Sequence, residues 1–294
     1  MLFNDYKKSG IIHKIVQNNI KKKLSNVNNA LDIVKKIEND IKLYTKYNTN
    51  NPTKNGIAFP VGIGINEVAA HFTPSKDNNP KINKDDIVKI DFGVHINGCI
   101  TDGAFSWCPS GKYNKLIDIS KQATNIGIKN SGVNVILGEI GGYIQEYIES
   151  CEIEIDQKVY PVKSIYDLCG HKIDQYKIHS GKAVPNVRIP YYERMLEDEV
   201  YAIETFPTIG NSSIITDHSI CNHFMITDYN NNFDEKTKDI YFNRKTLAFC
   251  PRWFDFDIPD NKYIKKYPLL RGNGMIAQTE KTIYIKNNII EILN

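Results

Sequence analysis

The sequence predicts an α+β fold with antiparallel strands, and three observations carry the prediction. Helical apolar spacing runs over residues 5–47, short apolar runs bounded by Gly, Pro and Asn follow, and one strictly alternating segment is closed by an Asn-Gly turn. The 294 residues, 41% hydrophobic and 24% charged, are enough for a large core. The 37 Lys and Arg against 34 Asp and Glu give a formal net charge of +3, too weak a bias to imply a nucleic-acid or membrane partner. Mean hydropathy is -0.39. No window approaches the ~18 consecutive apolar residues of a membrane-spanning helix. The N-terminus lacks the apolar core and cleavage site of a signal peptide, so a cytoplasmic protein is expected. Six cysteines without a C-x-x-C pair exclude a zinc ribbon or redox dithiol and read as buried free thiols.

Within the first segment, Ile11, Ile12, Ile15, Val16, Ile20 and Leu24, then Leu31, Val34, Ile37, Ile41 and Leu43, mark two amphipathic helices. The break at 25–29 separates them, with Asn28 or Asn29 as the cap of the second. Lys21, Lys22 and Lys23 read as a solvated face. A polar linker at 47–54 leads into strands. Helical spacing returns at 116–129 and 136–148, further strands are expected at 201–206 and 282–285, and the polar stretch 229–239 reads as an exposed connection.

Residues 86–107 carry the first chemistry. Val88, Ile90, Phe92, Val94 and Ile96 form one buried strand face, and Asn97-Gly98 is a two-residue hairpin turn. If Ile96 faces Cys99, Gly93 faces Asp102 and Asp91 faces Ala104, so the two aspartates share a face as diagonal neighbours ~7–8 Å apart. Gly93 and Ala104 leave room on that face. On the hairpin alone, a pair of ordinary surface aspartates is an equal reading. His171 and His179 lie an even number of residues apart, which in extended chain puts both imidazoles on one side. Glu204 and Glu280 sit in β-prone runs where a carboxylate is exposed, paired or metal-bound.

Across nearly the whole length, the ordered segments AFPVGIGINEVAAHFTP, KIDFGVHINGCITDGAF, GHKIDQYKIHSGKAVP, YAIETF, TLAFCPRW and AQTEKT make the chain resemble type 2 methionine aminopeptidases. The resemblance implies a pita-bread fold: a curved antiparallel sheet with outer helices and pseudo-twofold halves. It implies one catalytic domain over residues 1–294, with a shortened insertion at about 207–270. It also implies two divalent metal ions (Mn, Co, Fe or Zn): Asp91 on one, His171 and Glu204 on the other, Asp102 and Glu280 bridging. Such ions acidify a shared water, polarise the substrate carbonyl and anchor the free α-amine. Glu204 is implied as the proton relay, and His71 and His179 as hydrogen-bonding partners of the scissile amide. The methionine pocket maps onto Phe59, Gly62, Ile178, His223, Ala248 and Tyr267, together with His71 and His179. His95 matches no ligand position and reads as structural.

The implied function is removal of initiator methionine from peptides and nascent chains when the second residue is small. The chain departs from the pattern at Cys169, where Asn is common. The expected consequence is loss of a hydrogen bond behind the ligands and a shift in metal affinity. The long lysine-rich leader of eukaryotic members is missing, which weakens the inference of ribosome docking to a weak association at most, and a monomer is expected. Two alternatives share the fold. X-Pro aminopeptidases and prolidases carry an extra N-terminal domain, and non-catalytic binding modules of RNA or protein lose several ligands, whereas all five are present here.

Overall fold

The computed structural model describes residues 2–287 and 289–294. Two helices come first, α1 (Leu2–Lys21) and α2 (Ala30–Tyr44). Strands β1 (Asn55–Ile57), β2 (Gly62–Ile65), β3 (Val68–Ala70), β4 (Val88–Ile96) and β5 (Cys99–Trp107) follow. Next are α3 (Asn114–Lys129), α4 (Leu137–Glu149), β6 (Glu152–Ile155), β7 (Lys158–Pro161), β8 (Lys163–Ser164), β9 (Cys169–Ile173), β10 (Ala183–Pro185), β11 (Val200–Thr205), β12 (Pro207–Thr208) and β13 (Ile215–Ile226). The chain closes with α5 (Glu235–Arg244), β14 (Ile264–Arg271), β15 (Thr279–Lys286) and β16 (Ile289–Ile292).

Two antiparallel sheets meet at the centre, each backed by two helices. In the first, β4 pairs with β5 on one edge and with β1 and β2 on the other. Helices α1 and α2 cover it, with Val16, Ile33 and Ile37 packed among Ile63, Ile90 and Phe92. The second runs β10-β9-β11-β15-β16, and α3 and α4 lie against it. No ladder joins β5 to β15. Instead Thr282 Oγ1 accepts from Asp102 N at 2.8 Å and donates to the Asp102 carbonyl at 2.7 Å, while Ser106 Oγ donates to the Gln278 carbonyl at 2.8 Å. A third sheet, β13-β14-β3, borders the central cavity.

The first helix departs from expectation in its orientation. Ile11 and Ile15 point to solvent, and its buried stripe is Tyr6, Ser9, Gly10, His13, Val16 and Ile20. Gly10 has no room for a Cβ, which would lie 2.4 Å from the Leu293 carbonyl oxygen, and His13 stacks on Phe92 with ring centroids 4.1 Å apart. Close backbone approach and an aromatic stack outweigh the isoleucines there. Asn29 caps α2, its side chain accepting from Asp32 N at 3.0 Å. The stretch 229–239 is not a bare connection. Asp234 caps α5 by accepting from Thr237 N at 2.8 Å, and Phe233 is buried with Ile240 and Ile264. Seven of the ten residues of that helix are charged or amide-bearing or small and polar, which hid its short apolar stripe. Cysteines 99, 108 and 250 are buried, but Cys169 is exposed.

Candidate metal centre and adjoining slot

The β4–β5 hairpin pairs Ile96 with Cys99, Gly93 with Asp102 and Asp91 with Ala104. Asn97 and Gly98 take φ of 50° and 79°, the left-handed pair that a two-residue hairpin turn demands. Asp91 and Asp102 therefore share a face, set by register alone. In the second sheet Glu204 is directly opposite Glu280, and Ala202 is opposite both His171 and Thr282. Two like charges opposed across a ladder repel.

These five side chains converge on one cavity of about 280 Å³. His171 Nε2 lies 3.6 Å from Asp102 Oδ2 and 3.9 Å from Glu204 Oε1. Asp102, His171 and Glu280 each offer a donor atom within 4.8 Å of the others. Among the described residues no lysine or arginine forms an ion pair with any of the four carboxylates. Burial, rather than a neighbour, is the first cause of their perturbation. It pushes Asp91 up to about 7, against the pull of Gln278. Asp102 is raised further by Asp91 and Glu204, Glu280 by Asp102, Glu204 and Asp91, and Glu204 by Asp91. Burial and then His179 hold His171 well below its ordinary value.

Asp91 Oδ1, Asp102 Oδ1 and Glu280 Oε1 are buried without any hydrogen-bond partner. Such groups cost about 1–3 kcal/mol each, more when charged. An oxygen-rich donor set of this kind, short of positive charge, fits divalent cations.

The same cavity is lined by Phe59, Gly62, Ile178, His223, Ala248 and Tyr267, and by His71 and His179. His71 has a φ of 64°, and its Nδ1 donates to the Pro268 carbonyl at 3.2 Å. His179 meets His171 edge-on at 4.4 Å between ring centroids. Burial pushes His179 down to about 4 and His71 below its ordinary value, so both are neutral near pH 7. The eight-residue spacing of His171 and His179 does bring the rings together, but not through extended chain. The segment folds back between Asp174 and Lys177, with Tyr176 at φ 61°. His95 is fully buried, 6.2 Å from the Tyr176 ring, and does not line the cavity.

The expected space at Gly93 is filled. Gly93 does not leave room for an ion: a Cβ there would meet the Phe59 ring at 2.3 Å, so the glycine accommodates Phe59. Gln278 was overlooked although it lies in the AQTEKT segment. Its Nε2 donates to Glu204 Oε2 at 3.3 Å, and hydrogen bonding from its side chain also lowers Asp91. The signal available was a buried-looking amide two residues before Glu280. Cys169 lines the cavity; the residue is exposed overall, yet partial burial of its thiol and then Glu204 push it up to about 11.

Comparison with known proteins agrees with this architecture. Residues 4–286 match metallopeptidase family M24. Methionine aminopeptidase 2 of Dictyostelium discoideum is 38% identical over 311 aligned positions, covering 100% of this chain and 70% of that protein. Among solved structures, a thermophilic Arx1 superposes with a TM-score of 0.79 at 13% identity, covering 100% of this chain and 90% of that one. Methionine aminopeptidase from Thermotoga maritima gives 0.66 at 17% identity, covering 99% and 95%. The fold is the pita-bread fold, and the chain belongs to metallopeptidase family M24.

Proposed function

We propose that this chain is a metal-dependent aminopeptidase that removes the N-terminal methionine from peptides and nascent chains, preferring a small second residue. One observation carries the reading: four buried carboxylates that no lysine or arginine among the described residues pairs with, together with an imidazole, share a cavity with an apolar slot. Asp91, Asp102, His171, Glu204 and Glu280 would hold two divalent cations, whose charge lets the carboxylates ionise together, acidifies water and anchors a free amine.

The chain's own residues do the rest. Glu204, oriented by the Gln278 amide, accepts the proton of the attacking water at a carboxylate oxygen. Because His71 spends Nδ1–H on Pro268, its Nε2 is left as an acceptor for a peptide N–H. Neutral His179 donates a hydrogen bond to the oxygen on which charge develops. Phe59, Ile178 and Ala248 offer an apolar wall suited to a thioether, and His223, held at 3.3 Å from the Pro60 carbonyl, lines the same slot. We read residues 1–294 as one catalytic domain with a shortened insertion at about 207–270. The same reading has a cytoplasmic monomer with at most a weak hold on the ribosome. Among the described residues no helix is long and apolar enough to cross a membrane.

The test is release of methionine from Met-Ala-Ser with added Mn²⁺ or Co²⁺, with Ala-Pro peptides as the comparison. Methionine release that requires metal, with Ala-Pro peptides left intact, supports the reading. No release with any divalent metal, or undiminished release by Glu204→Ala, overturns it.

A further inference from the structure

Arg244, the last residue of α5, is buried, and among the described residues no carboxylate lies within ion-pair distance of it. Glu38 is already engaged: both of its oxygens accept from Arg252, at 2.8 and 2.9 Å, and one also accepts from the Trp253 indole N–H at 3.2 Å. The Arg244 guanidinium instead lies over the Trp253 ring, 4.7 Å from its centroid. Burial pushes Arg244 down only to about 10, so it remains a cation at neutral pH. An interior cation with no counter-ion is costly and persists where its hydrogen bonds hold something in place.

What those bonds hold is specific. Nη2 faces three carbonyls, those of Ile57 at 2.9 Å, Ala58 at 3.1 Å and Ala248 at 2.8 Å. Two of them immediately precede Phe59, and the third belongs to Ala248, so one guanidinium nitrogen spans two walls of the slot. Behind Ala248 the chain is fixed from other sides. Lys245 at φ 51° turns it sharply, Thr246 Oγ1 donates to the Tyr176 carbonyl, and Phe224 and Phe249 exchange backbone bonds at 2.9 and 2.8 Å. On the far side the Phe59 ring fills the space over Gly93.

We propose that Arg244 is a specificity-positioning residue: it holds the Phe59 and Ala248 walls at a fixed spacing, and so favours a long unbranched side chain over branched or aromatic ones. The inference rests on the aminopeptidase reading and deepens it. Arg244 touches neither substrate nor ions in this account. It acts through the carbonyls it spans.

The experiment compares wild type, Arg244→Lys and Arg244→Met on Met-Ala-Ser, Leu-Ala-Ser and Phe-Ala-Ser with Mn²⁺. The readout is the ratio of kcat/KM between substrates, which does not depend on the active fraction of each preparation. Lysine keeps the charge but lacks the planar fork, and methionine removes the donors. Loss of the clamp is expected to raise the Leu-to-Met ratio roughly tenfold in Arg244→Met, within the range a reshaped apolar pocket produces. The change should come through KM for Met-Ala-Ser, and Arg244→Lys should fall between. Mn²⁺ affinity by calorimetry should match wild type. Ratios within about twofold of wild type in whichever variants fold would overturn the proposal. Failure of wild type itself to release methionine would instead reject the aminopeptidase reading, so the two failures are distinguishable.

Discussion

The floor and the wall of the central cavity are made by opposite means. The floor is four carboxylates and His171 on regular strands, with oxygens left unbonded and, among the described residues, no lysine or arginine paired with them. The wall is built largely from loops and irregular segments, and several of its polar groups bond to backbone carbonyls, His71 to Pro268, His223 to Pro60 and Arg244 to three of them, while Tyr267 Oη and Arg244 Nε stay unbonded. The contrast shows where each part gets its order. The wall is organised by the folded chain itself, whereas the floor holds buried carboxylate charge that a bound divalent cation would offset.

The largest expected effect falls on the floor. Glu204→Ala should lower turnover of Met-Ala-Ser by about 10²–10⁴-fold, with KM moving far less, as measured by methionine release. If kcat survives, Glu204 is not the proton acceptor.

Next is the metal-free protein. Asp91 has its folded-state pKa raised from 3.8 to about 7, so its stabilising contribution is full below 3.8 and is lost as pH rises through about 7. Each pH unit inside that window costs about 1.4 kcal/mol for this group. Chelated wild type should therefore lose stability from pH 4 to 7 relative to Asp91→Asn, and Mn²⁺ should reverse the order. Urea unfolding at several pH values with and without metal measures both. Parallel curves for the two proteins would mean that the floor is not strained.

A change in the wall should leave the floor alone. Phe59→Ala should raise KM for Met-Ala-Ser about tenfold and leave Mn²⁺ affinity within twofold, by steady-state kinetics and calorimetry. Weakened metal binding in this variant would erase the distinction between wall and floor. The smallest effect lies outside both. Asn29→Ala removes a helix cap and should cost about 1 kcal/mol of stability without altering specific activity, by denaturant unfolding and peptide turnover.

The same division governs what the sequence made legible. Asp91 and Asp102 were placed on one face because a two-residue turn fixes every pair in its hairpin, and the observed pairs follow that arithmetic. The cap at Asn29 and the helices near 116–129 and 136–148 were readable because caps and apolar spacing are local signals. Glu204 opposite Glu280 was not deducible from spacing, since 76 positions separate them and only the resemblance linked the segments (280 − 204). The meeting of His171 and His179 was anticipated for the wrong physical reason, because a reversal between Asp174 and Lys177 leaves no periodic trace. Arg244 and Gln278 were missed altogether. A buried arginine that bonds only carbonyls looks, in sequence, like any surface arginine at a helix end.

The pairing of β11 with β15 also limits how this chain can diverge. Deleting or duplicating one residue ahead of Glu204 within its strand would turn the carboxylate to the opposite face of the sheet, however conservative the change looked in an alignment. Length variation among descendants is thus confined to the connections, while the two strands can accept replacements but not a change in count.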